Sequence, residues 1–205
     1  MSSKTASYLI AIGGHTGTGK TTLAYALRKA LPILHGAVIL EDDLVRRELL
    51  GASLADTLDD KAYMDEVSAR VSGLIAQRTV DALAQRTSVI NASGFFSKAA
   101  RPAIVKLAAD HGAIFIGLWL IAPRAVMEER INRRLIEREK GVELRVEDGH
   151  ASDACVAVID KFGDIGVPND DHWQTIDAEH PKDEVLAAAL KIIDGHAAAR
   201  GRSIS

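Results

Sequence analysis

Tyr8 to Thr22 reads YLIAIGGHTGTGKTT, a short apolar run that opens into a glycine-rich loop closed by lysine and two threonines. Gly14, Gly19, Lys20 and Thr21 keep the spacing G-x-x-x-x-G-K-[ST], and the apolar run before it and the helical pattern after it are the context that spacing requires. Glycines let backbone N–H groups converge on phosphate oxygens, and the helix that follows aims its positive dipole end at them. Lys20 is expected to reach the β- and γ-phosphates of ATP, and the Thr21 hydroxyl to coordinate Mg²⁺. His15, Thr16, Gly17, Thr18 and Thr22 complete the expected nucleotide-contacting loop. The threonines are equally good loop and cap residues, and His15 is expected at the surface. A turn that only capped a helix would need neither the lysine nor the hydroxyl beside it.

Outward from this loop, short apolar runs alternate with longer segments of helical period, the pattern of an α/β fold with a parallel sheet. Strands are expected at 8–12, 37–40, 88–91, 114–121 and 174–176. Helices are expected at 20–31, 43–50, 61–85, 98–111, 124–140, 153–162 and 181–199. Strands that are apolar throughout are buried on both faces, so helices should cover both sides of the sheet. Ligands in such sheets bind beyond the carboxyl ends of the strands.

At 205 residues and 47% hydrophobic the chain suits one domain, residues 1–205, with one core. A net charge of −3 leaves no basic footprint for nucleic acid or an anionic membrane. The single cysteine, Cys155, excludes an intrachain disulfide and reads as a small buried hydrophobe. The N-terminal apolar run feeds straight into the loop rather than forming a signal peptide. Ala113 to Ala122, AIFIGLWLIA, is too short to span a bilayer, so a cytoplasmic protein is expected. Glu139 to Asp153 is one long polar, glycine-punctuated stretch, expected as a mobile loop.

Val38 to Gly51, VILEDDLVRRELLG, sets three acids at the end of the second strand, with Arg46 and Arg47 a helical turn on. A carboxylate there can take the proton of an attacking hydroxyl or orient the hydration shell of Mg²⁺. Asp43 is the first choice for this role and Asp42 the second, while helix capping is the bland use of either. Arg101, at the start of the next helix, suits an anionic or hydroxylated substrate, or simply solvent. In Met127 to Lys140, Arg130, Arg134 and Arg138 recur every four residues beside an apolar stripe of Met127, Ile131 and Leu135. Arg130 and Arg133 are the expected catalytic pair, neutralising charge on the transferring phosphoryl group, and Arg134 and Arg138 are left open.

GGHTGTGKTTLA, LEDDLVRRELLG, SVINASGFFSKAARP, FIGLWLIAPRAVMEERINRR, ASDACVAVIDKFG and WQTIDA occur in this order. In them the chain resembles the small P-loop kinases of the AAA-type ATP-binding group, relatives of gluconate kinase, chloramphenicol phosphotransferase and zeta toxin. That resemblance implies a three-layer nucleotide-kinase-like fold with strand order 2-3-1-4-5, an acceptor-side helical region at 41–86 and a helical lid at about 124–152. It also implies ATP-dependent phosphorylation of a hydroxyl group, with Asp43 matching the acid after the second strand and Arg46 the basic residue behind it. The chain departs from the family at Asn91, where an acid is usual, and in a longer polar link between Arg134 and Ser152. Asp153, within the SDA match, is expected to cap the next helix.

The leading expectation is therefore a small-molecule kinase using Mg-ATP, with Asp43, Arg46 and Arg101 on the substrate and Lys20, Asp43, Arg130 and Arg133 in catalysis. A polynucleotide or nucleotide kinase is the second reading, opposed by the missing basic surface and by only nine aromatic residues for base stacking. A non-catalytic ATP-binding switch is the third. Stimulation of ATP turnover by a hydroxyl compound separates the first from the last.

Overall fold

The computed structural model describes residues 6–168 and 171–198. Five strands, β1 (Tyr8–Gly14), β2 (Val38–Glu41), β3 (Val89–Ala92), β4 (Ile114–Ile121) and β5 (Trp173–Asp177), form one sheet in the order β2-β3-β1-β4-β5. All neighbours are parallel, and Ile10 of β1 lies between Ile90 of β3 and Ile116 of β4. The helices are α1 (Lys20–Ala30), α2 (Asp42–Leu50), α3 (Asp65–Ala84), α4 (Ala100–Asp110), α5 (Arg124–Glu139), α6 (Ala157–Phe162) and α7 (Lys182–Ala198). This is the expected α/β architecture and strand order.

Alternation along β1 divides the interior into two cores. Tyr8, Ile10 and Ile12 face one side, where Leu23 and Leu27 of α1 and Val185 and Ile193 of α7 close over them. Leu9 and Ala11 face the other, against Val71 and Ile75 of α3, Ile104 of α4 and the two tryptophans, Trp119 and Trp173. Burying each large aliphatic side chain contributes roughly 1.5–3 kcal/mol, so truncating central Ile116 to Ala should cost about 2–5 kcal/mol.

Where β1 ends, the backbone turns sharply. Gly14 has φ +133°, and a Cβ there would lie 2.4 Å from the Leu120 carbonyl oxygen of β4. The close approach of β4 thus requires glycine at the mouth of the loop.

Several boundaries differ from expectation. The helix expected from 61 begins at Asp65, after a separate 3₁₀ turn at Asp60–Tyr63. The last helix runs Lys182–Ala198, and residue 199 of the expected span lies outside the described residues. The helix expected from Asp153 starts only at Ala157, because the Asp153 carboxylate is drawn into ion pairs with Arg47 and Arg138 rather than capping. Cys155 is exposed, not buried: it lies in the irregular segment before α6, outside the apolar clusters. Within the stretch expected as a mobile loop, His150 is buried and Val146–Asp148 forms a 3₁₀ turn. No helix among the described residues is long and apolar enough to cross a membrane.

Candidate active site

The loop between β1 and α1 folds on the carbonyl of His15. Thr18 Oγ1 donates to it at 2.8 Å and Lys20 Nζ at 2.9 Å, which stretches the lysine back along the loop. Gly19, in the left-handed conformation at φ 94°, opens α1 without a side-chain cap, leaving the dipole end uncovered. Desolvation lowers the Lys20 ammonium to about 8, opposed by Asp42 and Asp43. A lysine so poor in solvent gains strongly from a nearby anion. These features fit the phosphates of a nucleotide.

His15 is buried, contrary to the expectation of a surface residue. Its Nε2 donates to the Gly163 carbonyl at 2.9 Å and its ring lies 5.7 Å from that of Phe96. It braces the loop against the segment after α6. Gly17, at φ +79°, lies against α5, where a Cβ would sit 2.8 Å from the Met127 carbonyl oxygen.

Glu41 is the first of the three acids that the sequence sets at the end of the second strand, and the pattern alone assigns it no role beside the two aspartates. At the end of β2 it faces Thr21: the Thr21 hydroxyl donates to Oε2, and Oε1 is buried without a partner. Burial raises its carboxyl to about 7, against the Thr21 hydrogen bond. An unpartnered carboxylate oxygen beside a threonine hydroxyl is a donor pair that fits a hard divalent cation. Among the described residues no three His, Cys, Asp or Glu side chains form a ready metal cage. Magnesium would thus be held by Thr21 and Glu41, with nucleotide phosphate completing the shell.

The two aspartates that follow have different surroundings. Asp42 accepts from Ser93 Oγ at 2.8 Å and from the Gly94 amide at 3.2 Å, tying α2 to the turn after β3, and burial raises its carboxyl. Ser93 Oγ also lies 2.5 Å from Asn91 Oδ1. One hydroxyl hydrogen serves only one of these acceptors at a time. Asn91 thus lies behind Ser93 and Asp42. Asp43 is a quarter exposed in the cleft, with Arg46 Nε 3.9 Å from Oδ1. Neither aspartate caps, since α2 opens from Glu41 without a side-chain cap.

Arg46 is buried. Its Nη1 donates to the Ala62 carbonyl at 2.6 Å, and the guanidinium stacks 4.7 Å from the Tyr63 ring centroid. Arg101 is a correction on both counts, neither in the cleft nor in solvent. It is buried 4.4 Å over the Trp119 ring, and donates to the carbonyls of Phe95, Ile165 and Gly166.

Of the α5 arginines, Arg130 donates to the Gly17 carbonyl at 3.4 Å and the Ala178 carbonyl at 2.8 Å, joining the phosphate loop to the residue just past the end of β5. Arg133 lines the cleft and is exposed. Arg134, left open by the sequence, is the one whose field reaches Lys20, Glu41 and Asp43. One of its guanidinium nitrogens donates to Gly149, while the other is buried without a partner. Arg138 points elsewhere, to Asp153 and the His150 carbonyl. The period-four spacing was the signal for all three, but it holds no information about which way the helix is turned.

One cleft of about 2130 Å³ opens at the carboxyl ends of the strands, and His15, Arg101 and Arg138 lie outside its lining. Its volume is several times the space one small ligand needs. The loop residues Thr16 to Thr22, with Asp43, Arg46, Arg130 and Arg133, all line it.

The chain is similar in fold to a gluconokinase from Sinorhizobium meliloti 1021, at 17% identity over 90% of each chain with a TM-score of 0.56. It is similar also to a sugar kinase from Janibacter sp. HTCC2649, at 16% identity over 92% of this chain and 95% of that one, with a TM-score of 0.57. In all, 320 chains of known structure match, so the fold is widespread and by itself names no acceptor. No curated protein sequence matches the chain. The family model described as "AAA domain" matches residues 9–154, more than half of the sequence, and with its phosphate loop and five-stranded parallel sheet the chain belongs to that family.

Proposed function

We propose that the protein is an ATP-dependent kinase that phosphorylates a hydroxyl group of a small molecule. In this reading residues 1–205 act as one cytoplasmic domain, with the acceptor held over 41–86, the lid at 124–152, and no role for nucleic acid. The observation that carries it is one cleft lined by both the Lys20 loop and the accessible Asp43 carboxylate.

Magnesium, when bound, supplies charge neutralisation on the nucleotide phosphates. Lys20 and the loop amides hold the phosphates, and Thr21 and Glu41 stand where the cation would be held. Arg134, with one guanidinium nitrogen unpartnered, faces the charge that spreads over the transferring group. Arg130 keeps the lid helix on the phosphate loop, and Arg133 closes from the solvent side. The acceptor oxygen bonds to the γ-phosphorus, the bond to the bridging oxygen breaks, and ADP departs with that electron pair. Asp43 receives the hydroxyl proton, while Asp42, engaged at both oxygens, positions the turn beneath it. Catalysis here is mostly alignment and charge stabilisation.

ADP release from Mg-ATP, measured with pooled hydroxylated compounds, tests this. Stimulation of the wild type is expected, with kcat reduced about 100-fold or more in Asp43→Asn and KM changed much less. A stimulated turnover that Asp43→Asn retains in full would move the proton to another group. Nucleotide binding with no stimulated turnover would leave a nucleotide-binding switch.

A further inference from the structure

The cleft does not end at Asp43. It continues between α3 and α4, which pack on the same face of the sheet. There α3 contributes Val71, Ile75 and Ala76, and α4 contributes Ala103, Ile104 and Leu107. Val71, Ile75 and Ile104 are buried and form an apolar floor, while Ala76 and Ala103 are exposed along the rims. Small rim residues leave the floor open to a ligand that approaches along the groove.

Charge separates the two ends of the cleft. The phosphate end is lined by Lys20, Arg130, Arg133 and Arg134. None of the α3 and α4 residues that line the other end is basic, and Asp43, Asp60 and Asp65 stand at its entrance. Arg46, the cation beside them, is engaged by the Ala62 carbonyl, by Ser68 Oγ at 3.4 Å and by the Tyr63 ring. Its Nε, buried without a hydrogen-bond partner, lies 3.9 Å from Asp43, so a carboxylate or phosphate on the acceptor would meet three acids and one cation that already faces one of them, at considerable cost in this partly desolvated cleft.

We infer that the acceptor is an uncharged amphipathic hydroxyl compound, whose hydroxyl lies at Asp43 and whose apolar chain or ring lies in the groove between α3 and α4. This rests on the phosphotransfer reading above and narrows it, setting sugar acids aside. Continuity with the Lys20–Asp43 cleft favours a substrate over a protein partner as the occupant, because anything seated there lies across the path to the phosphate loop.

The test uses the full chain with Mg²⁺ and a non-hydrolysable ATP analogue, and measures binding of methyl, butyl and octyl β-D-glucopyranosides and of gluconate by calorimetry. Affinity should rise along the alkyl series, by roughly fourfold for each methylene the groove buries. Gluconate should bind more weakly than octyl glucoside. Ala76→Glu and Ala103→Glu, two exposed sites on different helices, should each flatten the dependence on chain length. A flat series in the wild type, or gluconate as the tightest ligand, would overturn the inference. So would a wild-type dimer in sedimentation that Ala76→Glu converts to a monomer, since the groove would then seat a second copy. The same series with ATP reads ADP release. Chain-length-dependent binding with no ADP release from any probe would support the amphipathic site and remove the phosphotransfer reading instead.

Discussion

At the scale of single residues, Glu41 is the group whose behaviour is most particular to this chain. Its carboxyl is raised from 4.5 to about 7, chiefly by burial beside Thr21, so the folded protein holds a proton that the unfolded chain releases. A raised carboxyl pKa contributes stability that is fully present below about 4.5 and lost as pH climbs through about 7. In metal-free buffer, urea unfolding should therefore show the wild type losing stability relative to Glu41→Gln between pH 5 and 8, by an amount on the order of 3 kcal/mol. Parallel pH profiles would show that Glu41 is not buried as described. Asn91 belongs to the same local account. The acid expected at its place is missing, yet the neighbouring strand end presents Glu41 to Thr21, and a carboxylate reaches the phosphate loop by another route.

At the scale of elements, the question is what holds α5 and the segment after it over the cleft. Asp153 accepts from Arg47 of α2 at 2.5 Å, from Arg138 of α5, and from the Leu58 amide at 3.1 Å. Arg47 also donates to the carbonyls of Ala151, Ser53 and Asp56, so one buried cluster fastens α2 and the segment after it to α5 and the segment before α6. Removing one member of such a cluster leaves two arginines without their counter-charge. Asp153→Asn should lower stability by about 3 kcal/mol in denaturant unfolding. It should also make the chain near residues 139–153 more susceptible to limited proteolysis than in the wild type. Unchanged stability together with unchanged cleavage would mean that the cluster holds nothing. Sequence could not rank Asp153 as a tie rather than a cap, because its partners lie 106 and 15 residues away.

At the scale of the whole molecule, the sheet presents its strand ends to one cleft, with the phosphate loop in the middle and the arginines of α5 above it. A nucleotide that touches both should stabilise the native state as a unit. At about 100 times its Kd it adds about 2.7 kcal/mol, which for a chain of this size corresponds to roughly 5–10 °C in Tm. Thermal unfolding with and without Mg-ATP checks this, and Lys20→Ala should abolish the shift. An equal shift in that variant would place the nucleotide elsewhere. Arg130→Ala should reduce the shift while leaving the Tm of the nucleotide-free protein within about 1 °C, since its two carbonyl bonds are partly exposed.

The sequence by itself determined the alternation of strands and helices, the phosphate loop and the acid-rich end of the second strand. Each is written in a local pattern of apolar period, glycine and charge over ten to fifteen residues, and needs no knowledge of distant neighbours. Only the tertiary structure decided which of these residues share a site. It turned Arg101 under Trp119 and out of the cleft, brought Glu41 to Thr21, gave Arg134 the place in the charged centre that Arg133 was expected to share, and drew Asp153 away from its helix. The physical reason is common to all four. A side chain's role depends on the field and the hydrogen-bond partners around it, and in a parallel sheet those come from strand ends that are dozens of residues apart along the chain.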